Sequence, residues 1–116
     1  MPNRYLSPET MPAPFGYSQV VESTGTRTVH VAGQVPLNAR NELVGEGDFQ
    51  AQVRQAFENV RQALDAVDMT FNDVVKMQFF VTDIANLPKV RDIRDEYINT
   101  DQPPASTSVQ VVALFQ

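Results

Sequence analysis

Between residues 49 and 67 the apolar side chains Phe49, Val53, Ala56, Phe57, Val60, Leu64 and Val67 recur every three or four positions. That spacing lines one side of an α-helix, and a helix with one apolar side must bury it against another element. The chain has 116 residues, so the covering element must belong to the same small domain. Two half-length pieces could not each bury a core without disulfides or metals. Asp48 stands just before the repeat, in the place of an N-cap. Gln52, Arg54, Gln55, Glu58, Arg61, Gln62 and Asp65 fill the other faces and read as solvated.

The rest of the chain supplies candidate partners for that stripe. Residues 18–23 and 28–35 are β-favouring runs separated by Ser23-Thr24-Gly25-Thr26, a turn-like cluster, and predict a hairpin. Residues 74–82 predict a strand whose Val75, Met77, Phe79 and Val81 face a core. A second helix is predicted over 86–98, capped by Asn86, with Pro88 in its first turn. Leu87, Val90, either Ile93 or Arg94, and Tyr97 make its apolar side. Pro103 and Pro104 exclude helix and force an extended approach into a strand over 106–113, with Val109, Val111 and Ala113 on one face.

The order ββαβαβ indicates an α+β domain in which two helices cover one face of a mixed sheet. Its other face would carry Gln34, Lys76, Gln78, Phe80 and Gln110, neither a full core nor a plainly solvated surface. A subunit interface would account for that mixture. Residues 1–14 contain Pro2, Pro8, Pro12 and Pro14 and read as an extended lead-in, neither signal peptide nor spanning helix. Residues 15–116 form the single domain.

Several kinds of chemistry lack their residues. The net charge is −5 with nine Lys plus Arg, so the overall field disfavours nucleic acid and anionic membranes. The absence of cysteine removes thiol nucleophiles, disulfides and zinc-thiolate sites, and makes the cytoplasm the expected compartment. His30 is the sole histidine, too few for a metal site and, with no nucleophile elbow, no basis for a Ser-His-Asp triad. Gly45-Glu46-Gly47-Asp48 bears acids where a phosphate would need donors. No metal and no cofactor is expected.

What remains is an ordered set of motifs. Phe15-Gly16-Tyr17-Ser18-Gln19 is followed by Val31-Ala32-Gly33-Gln34-Val35-Pro36 and by the helix segment from Gln52 to Val60. Asp73-Val74-Val75-Lys76, Phe80-Val81-Thr82-Asp83 and Pro104-Ala105-Ser106-Thr107-Ser108 complete it. In that order they resemble the YjgF/Rid family of reactive intermediate deaminases, long described as endoribonuclease L-PSP or translation initiation inhibitors.

The resemblance implies a chorismate-mutase-like fold assembled as a homotrimer, with a central barrel and ligand clefts between subunits. It implies a small-molecule ligand and no cofactor. In the family's deaminases an arginine of the last motif holds the substrate carboxylate while water hydrolyses an imine or enamine to a carbonyl compound and ammonia. Carried over residue by residue, the cleft would comprise Tyr17, Ala32, Gly33, Phe80, Arg91, Ser106, Thr107 and Ser108.

Three positions depart from the pattern. Ser106 replaces the carboxylate-gripping arginine, Ala32 stands where serine is common, and Arg91 stands where an asparagine contributes to the cleft. Helix spacing predicts that Arg91 pairs with Asp95; the alternative is that Arg91 supplies the missing charge. The sequence stops at Gln116, before the family's final strand and its acid, so either the natural chain continues or the sheet lacks an edge strand. The residue that would carry catalysis is not identified. A non-catalytic metabolite-binding or accessory protein on the same trimeric scaffold is the alternative function, and the nuclease or translation-inhibitor reading comes third.

Overall fold

The computed structural model describes residues 3–114. Strands β1 (Arg4–Leu6) and β2 (Val20–Glu22) come first, then helix α1 (Phe49–Asp65), strand β3 (Lys76–Val81), helix α2 (Leu87–Arg94) and strand β4 (Ala105–Gln110). Asp48 caps α1 as its position predicts, its Oδ1 accepting from the Ala51 amide at 3.1 Å. The apolar repeat runs on to Val67, but the helix stops at Asp65. Asp68 takes a left-handed φ of 59° there, and the Met69 amide donates back to the Leu64 carbonyl at 2.9 Å, which reverses the chain.

α2 is shorter than the sequence predicts. Pro88 occupies its first turn, but Asn86 makes no side-chain cap. Asp83 does the capping one turn earlier, where its Oδ1 accepts from the Ala85 amide of a 3-10 turn over Ile84–Asn86. The short side chain nearest the chain reversal takes the amide, and α2 then grows out of a turn already formed.

β3, α2 and β4 form a parallel βαβ unit, in register from Lys76 opposite Ala105 to Val81 opposite Gln110. Both helices cover the face of β3 that bears Met77, Phe79 and Val81. Phe57 and Leu64 of α1, Phe71, Ile93 and Ile98 make the larger buried cluster, against which Met77, Phe79 and Tyr97 pack. Val81, Leu87 and Val90 make a second, bridged to the first by Val53 and Phe79. The other face of β3 and β4 is open: Phe80 is 52% exposed beside Val109 at 37%.

The predicted hairpin is not formed. β2 pairs antiparallel with β1, Arg4 opposite Glu22, and these two join in an ion pair at 2.8 Å. Residues 28–35 form no strand. A β-favouring run specifies an extended segment but not its partner, and the N-terminal segment, read as a bare lead-in, takes up the hydrogen bonds of β2. Among the described residues no helix is long and apolar enough to cross a membrane.

Tyr97 ties the core together. Its ring stacks on Phe57 at 4.9 Å between centroids, and its hydroxyl donates to Glu58 Oε2 at 2.7 Å. Burial, then the hydrogen bond to the Glu58 carboxylate, pushes the phenol up from 10.0 to about 12. A phenol whose pKa is raised on folding stabilises the folded state fully below its unfolded value, and that contribution fades as pH rises from about 10 to about 12. Absorbance titration of the phenolates should show one tyrosine ionising near the upper value. Tyr97→Phe should remove that ionisation and flatten the fall in stability across this alkaline window.

Candidate active site

The chemistry-bearing side chains converge where residues 15–17, α2 and β4 meet. Ser18 brings the first segment there. It is buried, its amide donates to the Pro104 carbonyl at 3.2 Å, and its hydroxyl donates to the Pro103 carbonyl at 2.5 Å. Neither proline has an N–H to give, but both carbonyls are free to accept. The residues that force β4 to start extended therefore also hold the loop carrying Tyr17 beside it.

α2 contributes through its spacing. Leu87, Arg91 and Arg94 lie four and three residues apart and share one helix face. Together with Phe15, Tyr17, Ser106 and Ser108 they line a cleft of about 260 Å³. Ser106 and Ser108 reach it because they stand opposite Met77 and Phe79, on the helix-covered side of the sheet.

The two arginines are held differently. Arg91 lies over the Phe15 ring, with its guanidinium carbon 5.3 Å from the centroid. A cation on an aromatic face keeps its N–H groups available at the ring's edge. The Arg94 side chain is only 6% exposed. Its Nε and Nη2 both donate to Asp95 Oδ1, at 3.0 and 2.9 Å. Asp95 is thus the partner of Arg94, and the predicted Arg91–Asp95 pair is not formed. Arg94 turns toward Gly16, and its Nε edge then falls across the neighbouring carboxylate.

Gly16 is what lets Arg94 in. Its φ is +76°, and a Cβ there would lie 2.6 Å from Arg94 Nη2. The cleft lining includes no carboxylate or imidazole, so its charge is cationic, supplemented by the hydroxyls of Tyr17, Ser106 and Ser108. Such a lining suits a small anion with hydrogen-bonding groups.

Tyr17, Arg91, Ser106 and Ser108 therefore meet as one group, and the other expected cleft residues do not join them. Thr107 points to the open face, opposite Gln78, and Phe80 is exposed on that same side opposite Val109. Alternation along a strand separates neighbours by half a turn, so Ser106 and Thr107 cannot serve one pocket within a chain. Ala32 and Gly33 are exposed in the strandless segment, and a Cβ on Gly33 would meet no atom within 4 Å. His30 is exposed there too, and among the described residues no group of His, Asp or Glu is placed to hold a metal ion.

Phe15, Leu87 and Arg94 line the cleft without having been expected there, and Arg94 is the charged one. Its phase with Val90 and Tyr97 marked it only as an alternative to Ile93 in an apolar row. A charged residue in an apolar phase, with an acid next to it, was the available signal. A larger groove of about 420 Å³ lies between α1 and residues 34–41. Amide side chains dominate it, and Asn59 there donates to the Val35 and Leu37 carbonyls at 2.9 Å, which makes it a loop anchor.

A family model described as endoribonuclease L-PSP matches residues 9–116. The chain belongs to that family, also known as YjgF/Rid. A 2-iminobutanoate/2-iminopropanoate deaminase of Dermatophagoides farinae is 31% identical over 107 residues, covering 91% of this chain and 82% of that protein. The 3-aminoacrylate deaminase RutC of Acinetobacter baylyi is 31% identical over 111 residues, covering 96% and 86%. A crystal structure of a Rid-family protein of unknown function, YyfB from Yersinia pestis, is 36% identical with a TM-score of 0.80. It is covered over 90% of its length by 98% of this chain.

The fold of this Rid-family chain thus agrees with the chorismate-mutase-like α+β class expected from its motifs. Gly16→Ala tests how closely the cleft depends on the Arg94 contact. A left-handed φ on a residue with a Cβ and a 2.6 Å clash should together cost about 1–3 kcal/mol. Thermal denaturation should register this as a drop of several degrees.

Proposed function

We propose that this Rid-family chain hydrolyses small imines or enamines that carry a carboxylate, releasing the carbonyl compound and ammonia. The observation that carries the proposal is the convergence of the Arg91 guanidinium with the hydroxyls of Tyr17, Ser106 and Ser108 in a cleft lined by no acid. The names of the two deaminase relatives supply independent support.

In this reading Arg91 does from the helix what an arginine at position 106 does in the family's deaminases. Its fork takes the carboxylate and thereby fixes the imine carbon over the hydroxyl cluster. Water adds to that carbon as its proton passes to nitrogen. The hydroxyl of the tetrahedral intermediate then passes its proton to nitrogen, the C–N bond breaks as the carbonyl forms, and the nitrogen leaves as ammonia. Tyr17, Ser106 and Ser108 can each donate or accept, so they can orient the water and relay its proton. Orientation within a small cleft supplies much of the acceleration such a step needs.

The same reading includes the homotrimer implied by the family. The exposed Phe80 and Val109, on the sheet face away from the helices, support it. A neighbouring subunit there would also give Phe80 and Thr107 a place at a cleft wall between chains.

A second reading, a ligand-binding protein without turnover, is favoured by the lack of any carboxylate or imidazole to act as general base. Ammonia release from enzymatically generated 2-imino acids separates the two. Turnover by the wild type should fall about 100-fold in kcat/KM in Arg91→Gln, the loss of a charge-assisted pair. An enzyme that leaves every imino acid at its spontaneous rate of hydrolysis would reject the proposal in favour of binding alone.

A further inference from the structure

We infer that the cleft selects ligands bearing two carboxylates, the second one held by Arg94. The inference deepens the proposed function, since it names the substrate class of the same site: imines or enamines derived from acidic amino acids.

The argument starts from how the Arg94 guanidinium is used. Its Nε and one N–H of Nη2 are given to Asp95, and Gly16 closes over Nη2. Nη1 has no hydrogen-bond partner among the described residues. Yet none of their buried side-chain nitrogens or oxygens is left unsatisfied, so Nη1 is reached by solvent. The side chain is otherwise enclosed, and the opening it lines is the cleft. A buried arginine thus presents one nitrogen to the ligand space, held rigid by an acid on one side and backbone on the other.

A rigid N–H donor at the cleft discriminates, because a ligand that displaces its water without offering an acceptor leaves it unpaired. Arg91 lies one helical turn away on the same face and takes the first carboxylate. With no acid lining the cleft, a second negative charge meets no repulsion from the lining itself. Asp95 is the nearest opposing charge, and it sits behind Arg94 with its side chain 46% exposed.

The preference can be read without turnover, so its failure is distinct from failure of the deaminase reading. Calorimetric titration of the whole protein should compare 2-oxopentanedioate, 2-oxopentanoate and inorganic phosphate. The dicarboxylate should bind about tenfold or more tighter than the monocarboxylate, the worth of one charge-assisted hydrogen bond. Arg94→Gln should abolish the difference between the two oxo acids. Should that variant not fold, Asp95→Asn gives the answer: removing the opposing charge from an exposed residue should widen the preference severalfold. Equal affinity for the two oxo acids, a preference that Asp95→Asn leaves unchanged, or tighter binding of phosphate would each overturn the assignment.

Discussion

Phe57 sits where α1, β3 and the segment after α2 meet, and the packing of the two helices on the strand depends on it. Its ring stacks on Tyr97 and packs at a tilt against Phe71 and Phe79, with centroids 6.2 and 6.1 Å away. One side chain thereby fixes α1 to the strand, to Phe71 in the short 3-10 turn Phe71–Asp73 before it and to the chain beyond α2. Aromatic pairs of this kind add to the burial of large apolar surfaces. The Glu58 carboxylate, next in sequence, accepts from Tyr97 and pairs with Arg61, so the rim of the same contact is polar and satisfied.

With α2 held by its Val90 and Ile93 on the core side, the helix has only one way to present what is left. Arg91 and Arg94 face β4 and the loop of residues 15–17. The cleft is therefore a by-product of packing: its floor is strand, its wall is helix, and its lid is a loop pinned by Ser18 to two proline carbonyls. A guanidinium can approach a ligand in this cleft from the helix as readily as from the strand, because Ser106 and Arg91 line the same space.

Much of the fold was legible. α1 announced itself through a periodic stripe and an aspartate cap, and β3 through strict alternation of core-facing residues. The first strand pairing was not, because extended runs carry no label for their partner. Arg4 and Glu22 are far apart in sequence, and nothing local says that they meet. The site was legible in part. Tyr17, Ser106 and Ser108 came from motif order and Arg91 from the family resemblance, whereas Arg94 was hidden because it occupies an apolar phase and needs Gly16, distant along the chain, to make room for it.

The sequence by itself determined α1, β3, the extended start of β4 and the family: helical and strand periods are local, and the ordered motifs survive in the letters alone. The tertiary structure decided which residues share a pocket. It put Thr107 and Phe80 on the face away from Ser106, since strand alternation is converted into inside and outside only once a helix covers one side. It also gave Asp95 to Arg94 and left Arg91 over Phe15, a choice between neighbouring partners that depends on where the chain from Phe15 to Tyr17 returns. That return is set by hydrogen bonds from Ser18 to Pro103 and Pro104, across a separation that no local pattern can encode.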